Sequence, residues 1–142
     1  MKYALIGCGR VSGNHIKAAK LNELDIVALC DIIPEKAEVL KKEFSLNEGI
    51  PVYSDYKKML DEIMPDFVGI ATDSGTHAEI AIYCAEHKTN FIVEKPLAMF
   101  LQFHIVFSSS PGKFPLFSSS AYQFPANLWF SKKLREIVLR LQ

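Results

Sequence analysis

The sequence predicts a doubly wound α/β domain, a parallel sheet with helices on both faces, and three observations carry that expectation. Apolar runs of strand length recur at Lys2–Ile6, Asp25–Cys30, Val52–Tyr53 and residues 66–72 and 90–94, several of them rich in Ile, Val and Phe. Between the later runs lie segments with helical spacing: Tyr56, Met59, Leu60 and Ile63; Ala78, Ala81, Ile82 and Ala85; and, more sparsely, Ala37, Leu40 and Phe44. The joints between runs are short. Strands this apolar, separated by amphipathic helices, imply a parallel sheet buried on both faces. Right-handed crossovers then favour the strand order 3-2-1-4-5 up to Pro96.

The first run leads directly into Gly7-Cys8-Gly9-Arg10-Val11-Ser12-Gly13. In such a turn Gly7 permits the tight bend and Gly9 lets backbone approach a pyrophosphate closely, while the amides of the following helix face the negative charge. The third glycine position of this fingerprint holds Ser12, with Gly13 one place late. Arg10 and Val11 complete the phosphate-facing turn, and Arg10 is long enough to reach a phosphate oxygen. The second run ends in Asp31, where a carboxylate accepts from the ribose hydroxyls of an adenosine. The alternative for Asp31 is a strand-end cap on the helix that Pro34 opens as a first-turn proline. The strand–turn–helix–strand–Asp order favours a Rossmann-type dinucleotide site. A 2′-phosphate would be repelled by Asp31, and no Arg follows in Ile32-Ile33-Pro34, so the expected cofactor is NAD, with NADP disfavoured.

Farther along, Asp55 and Ser74 are placed to cap helices. The fourth run opens into Thr72-Asp73-Ser74-Gly75-Thr76-His77, a loop that the doubly wound order sets beside the glycine turn. Thr72, Ser74 and His77 therefore join the candidate cofactor contacts. His77 also has an ordinary reading as a first-turn packing or surface residue, and His15 on the first helix shares it. Tyr3, Tyr53 and Tyr56 are expected as core or half-buried aromatics. The fifth run closes in Glu94-Lys95-Pro96, which sets a lysine on the sheet edge where open α/β domains bind ligands. The proline removes a donor and fixes the exit of the chain behind it. Gly7, Gly9, Asp31, Thr72 and Lys95 should thus gather along one edge.

After Pro96 the composition changes. From Lys95 to Arg135 there is no Asp or Glu, and seven of the ten phenylalanines fall in residues 100–130, beside serine triplets at 108–110 and 118–120. This stretch is expected to pack poorly. Leu134, Ile137, Val138 and Leu141 then restore helical spacing among basic residues, predicting an amphipathic terminal helix over 131–142 with a solvated outer face. The chain thus divides into 1–99, 100–130 and 131–142.

Composition sets the outer bounds. A chain of 142 residues is one domain's worth, and 16 Lys+Arg balance 16 Asp+Glu, so no overall field recruits nucleic acid or an anionic membrane. No run reaches membrane-spanning length, and the six residues before Gly7 are too few for a signal peptide. Cys8, Cys30 and Cys84 show no Cys-x-x-Cys spacing; structural thiols in a reducing cytoplasm are expected, with no metal site.

With the glycine turn, Asp31, the 72–77 loop and Glu94-Lys95-Pro96 taken together, residues 1 to about 99 resemble the amino-terminal half of the Gfo/Idh/MocA oxidoreductases. The resemblance implies that Lys95 sits by the nicotinamide and the substrate hydroxyl as the catalytic residue, donating a hydrogen bond or acting as general acid/base, with Glu94 and Pro96 holding that strand end. It implies NAD(P)-linked oxidation or reduction of a sugar or cyclitol hydroxyl. The 70–79 phrase is similar to members acting on nucleotide-linked sugars such as UDP-N-acetylglucosaminuronate. Thr72-Asp73-Ser74 stands where many members have Thr-Pro-Asn. The family continues into a second α/β domain with the substrate pocket and the subunit contact; this chain reaches Gln142 before such a domain, so a truncated dehydrogenase without that oligomer contact is expected. A local reading-frame slip would account for 100–130, with true divergence as the alternative, and resequencing the coding DNA decides between them. The competing functional reading is a non-catalytic nucleotide-binding or interaction module.

Overall fold

The computed structural model describes residues 1–94 and the backbone of 116–118. Along the chain run β1 (Lys2–Ile6), α1 (Ser12–Leu21), β2 (Asp25–Cys30), α2 (Pro34–Glu43), β3 (Val52–Tyr53), α3 (Tyr56–Ile63), β4 (Phe67–Ile70), α4 (His77–Glu86), β5 (Asn90–Val93) and β6 (Leu116–Ser118). All the strand pairings are parallel, in the order β3-β2-β1-β4-β5-β6. The expected 3-2-1-4-5 order is present. The sixth strand was not expected, because the serine triplets disguise the short apolar pair Leu116-Phe117. Its backbone pairs Leu116 with Phe91 and Ser118 with Val93, continuing the sheet beyond β5. The remainder of 100–130 and the terminal helix predicted over 131–142 lie outside the described residues.

The two faces of the sheet are filled by two helix pairs. Ile16 and Ala19 of α1 and Ala37 and Leu40 of α2 pack with Tyr3, Leu5, Leu29 and Phe67. Met59 and Leu60 of α3 and Ile80, Ala81 and Cys84 of α4 pack with Ile6, Val68, Ile70 and Phe91 on the other side. Each large apolar side chain withdrawn from water in this way contributes about 1.5–3 kcal/mol. β1 and β4 are adjacent, and the helices after β1 and after β4 lie on opposite faces. The crevice where ligands bind in doubly wound sheets therefore opens between their carboxyl ends.

Local signals act as the sequence suggests at several ends. Pro34 opens α2, where a missing amide costs nothing, and Asp55 caps α3 by accepting from the Lys57 amide at 2.8 Å. Ser74 is not a cap: Thr76 precedes α4 and makes no side-chain cap bond. The Thr76 hydroxyl instead lies 2.8 Å from the Thr72 hydroxyl and 2.9 Å from the Asp73 carbonyl, folding the loop on itself ahead of the helix.

Candidate functional site

At the carboxyl edge of β1, β2 and β4 lies a cavity of about 560 Å³, within the usual range for a small-molecule site. Of the residues singled out from sequence, Gly7, Gly9, Arg10, Val11, Asp31, Thr72, Ser74, His77 and Glu94 all line it. Lys95 and Pro96 lie outside the described residues.

The floor is the glycine turn. Gly7 has φ +95°, and a Cβ there would stand 2.5 Å from the Ala71 carbonyl carbon and oxygen, so the bend and the approach of β4 both exclude a side chain. The Gly7 amide donates to the Cys30 carbonyl at 2.8 Å, which ties the turn to β2. Gly9 differs: a Cβ would meet nothing within 4 Å, so protein packing does not call for glycine there. Among the described residues, the amides of Gly9, Arg10 and Val11 make no hydrogen bond, and all three residues face the cavity. Three unsatisfied donors at the head of a helix form an anion cradle, which fits the pyrophosphate of a dinucleotide.

Ser12 does not share that cradle. It is 1% exposed, its amide donates to the Gly9 carbonyl at 3.1 Å, and its hydroxyl donates to the same oxygen. Its small side chain holds the turn closed from behind rather than facing a ligand. Gly13 is closely packed as well, since a Cβ there would come within 2.9 Å of the Phe44 ring.

Asp31 does not cap α2, whose N-cap is Ile33 with no side-chain cap bond, but it anchors the turn before that helix. Its Oδ2 accepts from the Cys8 amide and its Oδ1 from the Ile33 amide, each at 2.8 Å, so the carboxylate stitches the glycine turn to the start of α2. Each oxygen keeps a further lone pair, and the residue lies on the cavity wall, which leaves acceptor capacity for a ribose hydroxyl. On either side, Cys8 and Cys30 have their thiols pushed up to about 12, first by burial and then by the charge of Asp31. Both are free, as is Cys84, so they act as small apolar fillers rather than nucleophiles.

The β4 loop forms the opposite wall. His77 is 1% exposed, and its Nε2 lies 2.8 Å from the Thr72 carbonyl, so that nitrogen carries the proton and pins the loop. The expected packing role holds for His77 and the surface one does not. Below it the Tyr56 hydroxyl donates to Glu79 at 2.8 Å, and burial together with that carboxylate raises the phenol's pKa. Tyr56, Glu79, Ile32 and Lys36 line the cavity without having been marked as site residues. The signal for them was positional: each lies just past a strand end or in the first turn of a helix.

At the far end stands Glu94, whose amide donates to the Ile70 carbonyl at 3.0 Å. Its Oε1 lies 2.9 Å from Nε2 of His15, a buried imidazole that the sequence reading treated as ordinary. The available signal was spacing, since Ser12, His15, Ile16 and Ala19 are the buried stripe of α1. Among the described residues, no cluster of three or more His, Cys, Asp or Glu could hold a metal ion, and no helix is long and apolar enough to cross a membrane.

Comparison with known proteins agrees with this geometry. Residues 1–104 match the sequence model of the Gfo/Idh/MocA family, an oxidoreductase family with an NAD-binding Rossmann fold. Over 110 residues the chain is 34% identical to a glycosyl hydrolase family 109 protein of Porphyromonas gingivalis, covering 72% of this chain and 23% of that protein. Over 101 residues it is 36% identical to D-apiose dehydrogenase of Paraburkholderia graminis, covering 70% and 26%. Its structure is similar to that of the WlbA dehydrogenase of Chromobacterium violaceum in complex with NADH and UDP-GlcNAcA, with a TM-score of 0.72, 26% identity, and coverage of 83% of this chain and 34% of that one. The chain thus spans about a quarter of the length of the curated relatives it matches. It belongs to the Gfo/Idh/MocA oxidoreductase family, and residues 1–104 are its NAD-binding Rossmann domain.

Proposed function

We propose that the cavity along β1, β2 and β4 binds NAD in preference to NADP, as the cofactor half of a dehydrogenase acting on a sugar, a cyclitol or a nucleotide-linked sugar. The single observation that carries the site is the pairing of three open amides at Gly9–Val11 with the Asp31 carboxylate on one cavity wall. In this reading the amides and Arg10 hold the pyrophosphate, Asp31 accepts from the adenosine ribose, and the backbone at Thr72 and Ser74 passes beneath the ribose and nicotinamide. Bound NAD supplies a hydride acceptor. Lys95, which follows Glu94 in the chain, donates a hydrogen bond to the reacting hydroxyl and takes part in its proton transfer. The dehydrogenase reading draws on the D-apiose dehydrogenase and on the neighbour crystallised with NADH and UDP-GlcNAcA; three buried free thiols agree with a reducing cytoplasm.

A lysine and a cofactor cannot orient a sugar unaided, and such positioning is worth roughly 7–11 kcal/mol of barrier. The 142-residue polypeptide assayed alone is therefore expected to bind NAD with little or no turnover. Calorimetric titration with NAD is the test of binding; a folded chain that shows no saturable uptake overturns this reading. A panel of sugars, inositols, UDP-sugars and glycosides, followed at the NADH absorbance, tests turnover. Steady turnover abolished by Lys95→Ala would make this half a complete enzyme, whereas NAD binding without turnover on any of them fits the half-site.

A further inference from the structure

His15 lies one turn into α1 and is 6% exposed, so both of its ring nitrogens must find partners inside the protein. Nε2 sits 2.9 Å from Glu94 Oε1, and Nδ1 sits 3.4 Å from the Tyr3 hydroxyl, a longer and weaker contact. Of the two neutral tautomers, only the Nε2–H form suits both neighbours: it donates to the carboxylate and leaves Nδ1 to accept from the phenol. Burial, with the nearby Cys8 and Glu94, raises the Tyr3 pKa and keeps that phenol protonated as a donor.

The space for this arrangement is made by a third strand. A Cβ on Gly69 of β4 would collide with the Tyr3 hydroxyl and lie 3.0 Å from His15 Nδ1. One imidazole therefore joins α1, β1 and the end of β5, at a place where β4 has given up its side chain. Glu94 lines the cavity with its carboxyl side chain 29% exposed, and the buried imidazole 2.9 Å from Oε1 restricts the rotamers open to it. Among the described residues, the amide of Glu94 makes the last backbone bond to the β4 end, at the Ile70 carbonyl, and the next residue in the chain is Lys95.

We propose that His15 is a positioning residue for the cofactor site: by holding the Glu94 carboxylate from beneath, it fixes the cavity wall at the point where the chain leaves β5 for Lys95. The proposal rests on the cavity being the NAD site, but the contact itself can be read without cofactor. On the full chain labelled with nitrogen-15 at histidine, at a pH where the ring is neutral, His15 should show the Nε2–H tautomer and lose that preference in Glu94→Ala. In NAD titrations, His15→Ala and Glu94→Ala should each weaken binding about three- to tenfold, as expected for the loss of one hydrogen-bonded anchor. The double variant should be no weaker than Glu94→Ala alone, because His15 acts through that carboxylate. His15→Gln, whose amide nitrogen reaches close to the place of Nε2, should recover most of the loss. An Nδ1–H tautomer in the wild-type chain overturns the proposal, as do multiplied losses in the double variant or a Gln variant as weak as Ala. A wild-type chain that shows the Nε2–H tautomer but takes up no NAD overturns the cofactor reading, and with it His15's positioning role there.

Discussion

Two carboxylates stand at opposite ends of the cavity, each just past the end of a strand, and they are held in different ways. Asp31, after β2, accepts from two main-chain amides no farther than 23 residues away. Glu94, after β5, meets the side chain of an imidazole 79 residues away. The first kind of anchor uses groups that every residue carries, so a strand, a glycine turn and an acid in the right order are enough to reveal it. The second depends on which side chain a distant helix turns inward. The Asp31 end of the cavity is thus anchored through the backbone, and the Glu94 end draws on a side-chain contact between distant elements.

This difference predicts unequal costs of removal. Asp31→Ala leaves two amides without an acceptor, and charge-assisted bonds are worth about 1.5–3 kcal/mol each, so a loss of about 3–6 kcal/mol in folding stability is expected by chemical denaturation. Glu94→Ala removes one described bond and leaves a buried ring N–H, for about 1–3 kcal/mol. A larger loss at Glu94 than at Asp31 would break the comparison.

The glycine turn sharpens it further. Gly7→Ala places a Cβ against the Ala71 carbonyl in a left-handed backbone, and strain together with overpacking should cost about 2–5 kcal/mol. Gly9→Ala meets no neighbour and should leave stability within about 0.5 kcal/mol, while weakening NAD binding by roughly tenfold or more as the methyl group intrudes on the pyrophosphate. Equal stability of the two variants would show that the turn does not depend on close approach to β4.

The thiols give the Asp31 end a pH signature. Cys8 and Cys30 there, and Cys84 in the core, ionise near 12 when folded, against 9.0 when unperturbed, chiefly because burial disfavours the thiolate. The folded-state values are raised, so the contribution to stability is complete below pH 9 and falls as pH rises towards 12, at about 1.4 kcal/mol per pH unit for each thiol. Denaturation curves above pH 9 should show the decline, and stability that holds constant to pH 11 would contradict it.

The smallest expected effect is at Lys36, a cation on the same cavity wall as Asp31 that inspection of Ile32-Ile33-Pro34 alone passes over. As an exposed charge worth about 0.2–1 kcal/mol, it should soften the repulsion of a 2′-phosphate, so Lys36→Ala should weaken NADP binding by up to about fivefold and leave NAD nearly unchanged.

The strands β1, β2 and β3 and helix α3 were legible in the sequence because their apolar spacing reports burial on the sheet. Pro34 and Asp55 were legible because their effects lie within one turn of their own positions. Ser74 misled because the Thr76 hydroxyl folds that loop by bonding back to Thr72 and Asp73, a competition between local polar groups that the cap pattern does not rank. His15 stayed hidden because its partners, Tyr3 and Glu94, are brought together only when β1 and β5 flank β4. Leu116–Ser118 stayed hidden because a three-residue strand gains its order from pairing with β5 rather than from its own composition.

The central claim is that Asp31 reads the adenosine ribose at the backbone-built end of this cavity. Paired calorimetric titrations of the wild-type chain with NAD and with NADP test it most directly. Losing a charge-assisted hydrogen bond to the 2′-hydroxyl costs about 1.5–3 kcal/mol, so NAD should bind roughly ten- to a hundredfold more tightly. NADP binding as tight as NAD, or tighter, would contradict the assignment of Asp31 and with it the orientation of the cofactor along the sheet edge.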